Sequence, residues 1–129
     1  MTYYLADGYG RSEAVVSILL QRKSQAKRVY ASIVASQTNT DGFKSEGITY
    51  PSIESQHRLM KSTQEKAGIH PHDIKYVEAH MTGTPAGDVV ESESIRTTFC
   101  SEGRKDPLFV GCLKSNLGHT EGASGTCAL

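Results

Sequence analysis

The sequence has 129 residues, enough for one ordinary domain, and its 14 basic residues balance 14 acidic ones. This balance argues against nucleic acid or any other partner selected by bulk charge. The longest apolar stretch, EAVVSILLQ, is too short to cross a bilayer and no signal peptide opens the chain, so we expect a cytoplasmic protein without a membrane partner.

Two apolar runs lie near the start of the chain. Residues 13–21 (EAVVSILLQ) and 29–36 (VYASIVAS) are rich in valine, isoleucine and leucine, which predicts two strands buried on both faces. The basic connector between them is too short for a crossover helix. It therefore predicts a hairpin-like, antiparallel pair joined by a solvated turn.

A long loop over residues 37–52 leads into a predicted helix. Ser52 and Ser55 are candidate N-caps, and Gly68 is the expected C-terminal stop. The apolar positions are few, which is typical of a helix on a surface layer. They are Ile53, Leu59, Met60 and Ala67.

Two strand–loop–helix units follow. Residues 74–79 predict a third strand that ends at His80, and Asp88 is the expected cap of a helix with an apolar face. Residues 107–113 predict a fourth strand that runs into KSNLGHTEGASG and the beginning of another helix. This order predicts an α/β fold, in which ligands gather at the carboxyl ends of the strands. The predicted helical face consists of Val89, Val90, Ile95 and Phe99.

His80 and His119 occupy comparable positions, each just beyond a strand in a loop of small polar residues. Two neutral imidazoles facing one pocket can donate N–H groups to a developing oxyanion, and the alternative is two unrelated loop histidines. Lys114 and Glu121 are close enough in sequence to set the charge or tautomer of His119, although solvated side chains are the alternative.

Other groups favour simpler interpretations. TGTPAGD is glycine-rich but lacks the lysine ending of a P-loop, so anion binding is the weaker hypothesis. HPHD predicts a surface turn rather than a metal site, and His57 is expected on a polar helix face. Three widely spaced cysteines indicate neither a disulfide framework nor zinc; Cys100 and Cys112 are expected to be packing residues, with Cys112 inside a strand.

Four segments together resemble β-ketoacyl synthases. EAHMTGTPAGDVVE is similar to the family signature E-A-H-G-T-G-T-x-x-G-D-P-x-E, and KSNLGHTEGASG to K-S-N-x-G-H-x-E-x-A-x-G. ADGYGRSEAVVSILL and NTDGF resemble earlier family segments in the same order. The details are most similar to the synthase domain of animal-type, multifunctional fatty acid synthases, with type I polyketide synthases as near relatives.

The resemblance implies a thiolase-like (αβαβα layered) fold, here an incomplete fragment spanning the junction of its two halves. It implies decarboxylative condensation of malonyl on acyl carrier protein with an acyl thioester on a cysteine, and a homodimeric parent. No cofactor is bound directly, because phosphopantetheine of the carrier protein presents the substrate. The catalytic histidines fall on His80 and His119, with support from Lys114 and Glu121. Three further positions shape the pocket and the approach of pantetheine: Thr82, Thr84 and Asn116.

Three departures qualify the resemblance. Met81 replaces a family glycine. If that position requires positive φ or a close backbone approach, methionine would strain the loop or push His80 out of line, whereas Val89 in place of proline is expected to be harmless. The family's cysteine-containing turn has no counterpart. We therefore expect residues 1–129 to be a partial synthase domain, without the upstream nucleophile segment or the downstream end, and inactive alone. A polyketide synthase domain and a non-catalytic synthase-like subunit remain the alternatives.

Overall fold

The computed structural model describes residues 7–129. Residues 1–6 lie outside the described residues. Six regular elements follow in chain order. They are helix α1 (Ile53–Ala67), strand β1 (Tyr76–Glu78), helix α2 (Pro85–Phe99), strand β2 (Phe109–Gly111), helix α3 (Lys114–Leu117) and helix α4 (Ser124–Cys127). Short 3₁₀ turns occur at Lys23–Gln25, Pro71–Asp73 and Glu121–Ala123.

Strands β1 and β2 form a parallel pair. Tyr76 is opposite Phe109 and Glu78 is opposite Gly111. Helix α2 lies between the two strands in the sequence, as a parallel connection requires. The predicted α/β order is therefore confirmed, although both strands are shorter than the apolar runs suggested.

The strands predicted at residues 13–21 and 29–36 are wrong for this structure, which assigns no strand to either segment. Their side chains are exposed rather than buried, with Val15 and Leu19 at 103% and 84% of full exposure. A run of apolar residues indicates a tendency to be buried, but it does not show that a neighbouring strand is present to pair with it. Because a strand needs backbone partners, composition alone does not create one. The connector does contain the expected turn.

Helix α1 has the predicted boundaries. The Ser52 hydroxyl accepts a hydrogen bond from the Ser55 N–H at 3.1 Å, and Gly68 ends the helix in the left-handed conformation with φ 66°. The preceding loop is tied to the helix. The Asn39 side-chain amide donates to the Ser55 carbonyl at 2.9 Å, and Asp41 accepts from the Ser52 N–H at 3.1 Å.

Helices α1 and α2 approach closely through small side chains. Ser55 and Ser94 are almost completely buried, and the Ser94 hydroxyl lies within hydrogen-bond distance of the Ile53 and Val90 carbonyls. His57 is not on a free polar face, because its Nδ1 lies 2.9 Å from the Thr98 hydroxyl of α2. A small residue at a helix contact allows the two backbones to approach closely, so helices α1 and α2 form one packed layer beside the sheet.

The apolar core lies between α2 and β1. Ala79, Ile95 and Phe99 are buried together, and partly buried side chains pack against them. These are Met60, Ile74, Val77, Met81 and Leu108. Val89, predicted on the apolar face of α2, is instead half exposed, while Val90 is buried.

Arg104 fastens the connection between α2 and β2. Its guanidinium group donates hydrogen bonds to four main-chain carbonyls, which come from separate parts of the chain. The acceptors belong to Pro71, Ile74, Phe99 and Asp106. One planar group with five N–H donors thus supplies hydrogen bonds to main-chain carbonyls at the end of α2 and just before β1.

Helix α2 begins earlier than predicted. Pro85 is the first helical residue after Thr84, because the fixed φ of proline suits this position and its missing N–H costs nothing there. Asp88 is therefore inside the first turn rather than the N-cap. Both of its carboxylate oxygens accept from the Gly83 N–H at 3.1 Å, so it braces the loop before the helix.

Candidate active site

The two predicted histidines meet at the carboxyl ends of the parallel strands. His80 follows β1 by two residues, and His119 follows β2 and the short helix α3. Their ring centroids are 5.5 Å apart and the ring planes are perpendicular. Parallel strands end at one edge of a sheet, which explains how residues 39 positions apart in sequence come together.

His119 is buried and its tautomer is fixed. The Glu121 main-chain N–H donates to His119 Nδ1 at 2.9 Å. Nδ1 must then be unprotonated, so the proton of the neutral ring is on Nε2. The His119 N–H donates to the Gly10 carbonyl at 2.8 Å, and the Ser12 N–H donates to the His119 carbonyl at 2.9 Å. The imidazole is therefore held at Nδ1 and carries its N–H donor at Nε2.

His80 is more exposed than His119, and its surroundings favour the neutral form of its ring. Partial withdrawal from water is the main cause that lowers its pKa below 6.5, and the positive charge of Lys114 lowers it further. Glu91 and Asp88 act in the opposite direction without reversing the result. A neutral His80 carries one ring N–H group, and its ring lies beside that of His119.

Backbone strain is concentrated beside the two rings. Within residues 7–129, the non-glycine residues with positive φ are Met81, at 27°, and Glu121, at 50°. Each follows one of the two histidines closely. Met81 does adopt positive φ, so the methionine is strained there, and His80 nevertheless lies next to His119. Such strain is typical of functional sites, where surrounding contacts hold unfavourable conformations.

Two glycines allow the first described segment to reach this site. Gly83 has φ 80°, and a Cβ on it would lie 2.5 Å from the Gly8 carbonyl oxygen. Gly118 has φ 74°, and a Cβ there would lie 2.8 Å from the Gly10 carbonyl oxygen. These close approaches explain the glycine requirement at both positions. The aromatic ring of Tyr9, from the same segment, lies 4.6 Å from the His119 ring.

The supporting residues occupy different positions from one another. Lys114, at the start of α3, acts through its charge on His80 and Glu78. Glu121 contacts His119 through its main-chain N–H, while its carboxylate forms an exposed ion pair with Arg11 at 3.1 Å. The sequence spacing suggested that the Glu121 side chain could set the tautomer of His119, but the main-chain N–H makes that contact and the carboxylate is exposed.

Thr82, Thr84 and Asn116 differ in their exposure to solvent. Thr82 is buried, and its hydroxyl lies 3.3 Å from that of Thr84 in the loop after His80. Asn116 is exposed on α3. The two threonines thus belong to the loop that follows His80, whereas Asn116 is an exposed residue of helix α3.

Sequence reasoning missed two glutamates that organise the site. Glu91, on α2, accepts from the His80 and Met81 N–H groups at 2.7 Å each. Glu78 accepts from the Leu113 N–H at 2.5 Å and from the Tyr76 hydroxyl. The Tyr76 contact is the main cause that lowers the pKa of Glu78. Both carboxylates lie within EAHMTGTPAGDVVE, so the motif was the signal that could have identified them.

The cysteines differ in their relation to the site. Cys112 is one residue beyond β2 rather than inside it, and its Sγ lies 3.2 Å from the Met81 carbonyl oxygen. Cys100 is exposed at the end of α2, and Cys127 is in α4 near Thr120. Across the described part of the chain, no group of three or more potential ligands is arranged to hold a metal ion. None of the helices described is long and apolar enough to cross a membrane.

Known proteins share this sequence and its motifs. The model of the β-ketoacyl synthase C-terminal domain matches residues 30–129. A fatty acid synthase from the goose Anser anser anser is 52% identical over 123 residues, which are 95% of this chain and 35% of that relative. The highly reducing polyketide synthase sorA from Penicillium rubens is 44% identical over 128 residues, 96% of this chain and 5% of that relative. The chain thus spans about a third or less of these curated relatives.

Solved ketosynthases share its fold. The ketosynthase from module 6 of the bacillaene synthase of Bacillus subtilis is 44% identical with a TM-score of 0.68, covering 74% of this chain and 17% of that chain. The oxazolomycin ketosynthase domain from Streptomyces albus is 34% identical with a TM-score of 0.75, covering 84% and 20%. These similarities confirm the predicted thiolase-like α/β fold, and the chain spans a fifth or less of these two ketosynthase chains. The chain belongs to the β-ketoacyl synthase family, through its C-terminal domain.

Proposed function

We propose that the chain supplies the two-histidine part of the active site of a fatty acid synthase-type β-ketoacyl synthase. The observation that carries this proposal is the meeting of His80 and His119 with an Nε2–H donor on His119. The proposed substrates are malonyl on acyl carrier protein and an acyl thioester on an enzyme cysteine. The carrier protein is the proposed partner, and its phosphopantetheine brings the substrate to the site.

The two rings act on the thioester carbonyl of malonyl. As the carboxylate leaves as carbon dioxide, the electron pair of the breaking C–C bond moves toward that carbonyl and forms an enolate. N–H groups from His80 and His119 donate hydrogen bonds to the negative enolate oxygen. These hydrogen bonds are stronger than those to the uncharged carbonyl oxygen of the bound malonyl thioester, so they lower the barrier to decarboxylation. The enolate carbon then attacks the acyl thioester, and the cysteine thiolate is released.

The surroundings maintain the required protonation states. Partial burial, and to a lesser extent the charge of Lys114, lowers the pKa of His80 and so favours the neutral ring near pH 7. The Glu121 N–H directs the proton of His119 to Nε2. Thr82 and Thr84 stiffen the loop after His80, and we assign Asn116 to the approach of the pantetheine chain.

We further propose that residues 1–129 form part of a larger synthase domain that is homodimeric and cytoplasmic in the parent. The cysteine nucleophile is proposed to come from outside this chain, because Cys100, Cys112 and Cys127 do not match the family's nucleophile turn. The isolated chain should then fail to condense malonyl-acyl carrier protein with an acyl thioester. Robust turnover by the purified chain would sink this part of the proposal.

Alanine substitution tests the histidine pair. In the intact synthase that contains this segment, His80→Ala and His119→Ala should each lower kcat for malonyl decarboxylation by about 10²–10³-fold, as expected for the loss of an oxyanion donor. His70→Ala, at the exposed residue that precedes the 3₁₀ turn Pro71–Asp73, is the matched control and should retain wild-type kcat. Equal rates for all three variants would remove the histidine pair from the mechanism.

A polyketide synthase is the second candidate, favoured by the 44% identity to the fungal enzyme. The higher identity to the goose fatty acid synthase supports the fatty acid assignment. Mass analysis of the acyl products separates the two, since saturated chains support fatty acid synthesis and incompletely reduced chains support a polyketide. A replaced nucleophile in the parent reading frame would instead indicate a non-catalytic subunit, and nucleotide binding in a titration would favour an anion-binding module.

A further inference from the structure

Glu91 holds two consecutive amides of the loop after β1. Its Oε1 accepts from the His80 N–H and its Oε2 from the Met81 N–H, each at 2.7 Å. Charge-assisted, bidentate contacts of this length are strong and directional. Because Glu91 belongs to the long helix α2, it fixes these two amides relative to a rigid element.

Met81 needs such support. Its φ of 27° lies in the left-handed region, which glycine enters freely and other L residues disfavour. The Met81 carbonyl oxygen lies 3.2 Å from the Cys112 Sγ, and the side chain packs against the apolar core. The residue is therefore held at its N–H, at its carbonyl and through its side chain.

We infer that Glu91 is a positioning residue for the histidine pair: its carboxylate holds Met81 in the left-handed conformation and thereby directs the neighbouring His80 ring toward His119. Without Glu91, Met81 relaxes toward negative φ and the chain direction at His80 changes. This inference rests on the proposed function of the two histidines. It also explains how methionine is accommodated at this turn.

Substitution of Glu91 tests the inference in the intact synthase. In Glu91→Gln, the amide oxygen can accept from one N–H but the NH₂ group faces the other donor. We expect kcat for condensation to fall by about 100-fold with little change in KM, because a small misplacement of a catalytic group has this effect. Glu91→Asp keeps the charge but reaches less far, so its loss should be smaller. Glu93→Gln, on the same helix and paired with Arg96, is the control and should retain wild-type kcat.

A glycine at position 81 separates positioning from general damage. Met81→Gly combined with Glu91→Gln should recover most of the lost kcat, since glycine adopts positive φ without the carboxylate. Failure of this recovery in a folded double variant overturns the link between Glu91 and Met81. Wild-type kcat in Glu91→Gln overturns the inference entirely.

Hydrogen exchange provides a readout that does not depend on activity. The amides of His80 and Met81 should exchange slowly in the wild type and in Glu93→Gln, and rapidly in Glu91→Gln. Unchanged slow exchange in Glu91→Gln overturns the inference even if the synthase is inactive. An inactive wild type with rapid exchange in Glu91→Gln would refute the proposed function while supporting the role of Glu91.

Discussion

Gly83→Ala should disrupt the site without touching either histidine. Alanine at φ 80° costs about 1–2 kcal/mol relative to a favourable backbone conformation. Its Cβ would also lie 2.5 Å from the Gly8 carbonyl oxygen, so the two segments must separate. Separation breaks the 3.0 Å hydrogen bond from the Gly8 N–H to the Gly83 carbonyl, so the total loss should be about 2–3 kcal/mol.

The assay is kcat for condensation together with thermal unfolding of the intact synthase. Gly83→Ala should lower the unfolding midpoint by several degrees and lower kcat, because Gly83 is three residues from His80. Gly125→Ala is the matched control: no atom lies near its added Cβ, and alanine favours the α4 helix. If Gly83→Ala matches Gly125→Ala in both measurements, the close approach to Gly8 does not position the loop.

Three further predictions concern the charge state of His80, hydrogen bonding to main-chain carbonyls, and exposed apolar surface. Activity should fall on acidification with a midpoint below pH 6.5, because burial and Lys114 lower the pKa of His80, and Lys114→Ala should move the midpoint of the pH–rate profile upward. Since the folded pKa is lowered, the folded state loses stability relative to the unfolded state as the pH falls below 6.5 toward that pKa. An unmoved midpoint in Lys114→Ala would contradict this assignment. Arg104→Ala leaves main-chain carbonyls without their donor, so it should lower the free energy of unfolding measured in urea by about 1–3 kcal/mol. Lys105→Ala, at the exposed neighbouring residue, should change that free energy little. The isolated chain should aggregate or remain partly unfolded because residues such as Val15 and Leu19 are exposed, and a sharp two-state melt at low concentration would count against this expectation.

Local signals predicted local structure well. Ser52 and Gly68 defined α1 because a cap is set by the chemistry and conformation of one or two residues. The sequence predicts Asp88 as the cap of α2, but the helix begins at Pro85 after Thr84, because an aspartate inside the first turn resembles a cap in sequence. The strands expected at residues 13–21 and 29–36 failed because strand pairing depends on a partner elsewhere, which apolar composition does not provide.

The sequence by itself determined the family motifs, the α/β order, the helix α1 and the identity of the two histidines. Those features depend on residue chemistry and spacing along the chain. Only the tertiary structure decided that His80 and His119 meet, that the Glu121 main chain sets the tautomer of His119, and that Glu91 holds the loop at Met81. Each of these features depends on contacts in the folded chain. The contacts of the histidine pair and of Glu91 form when the parallel strands align their carboxyl ends and α2 packs beside them.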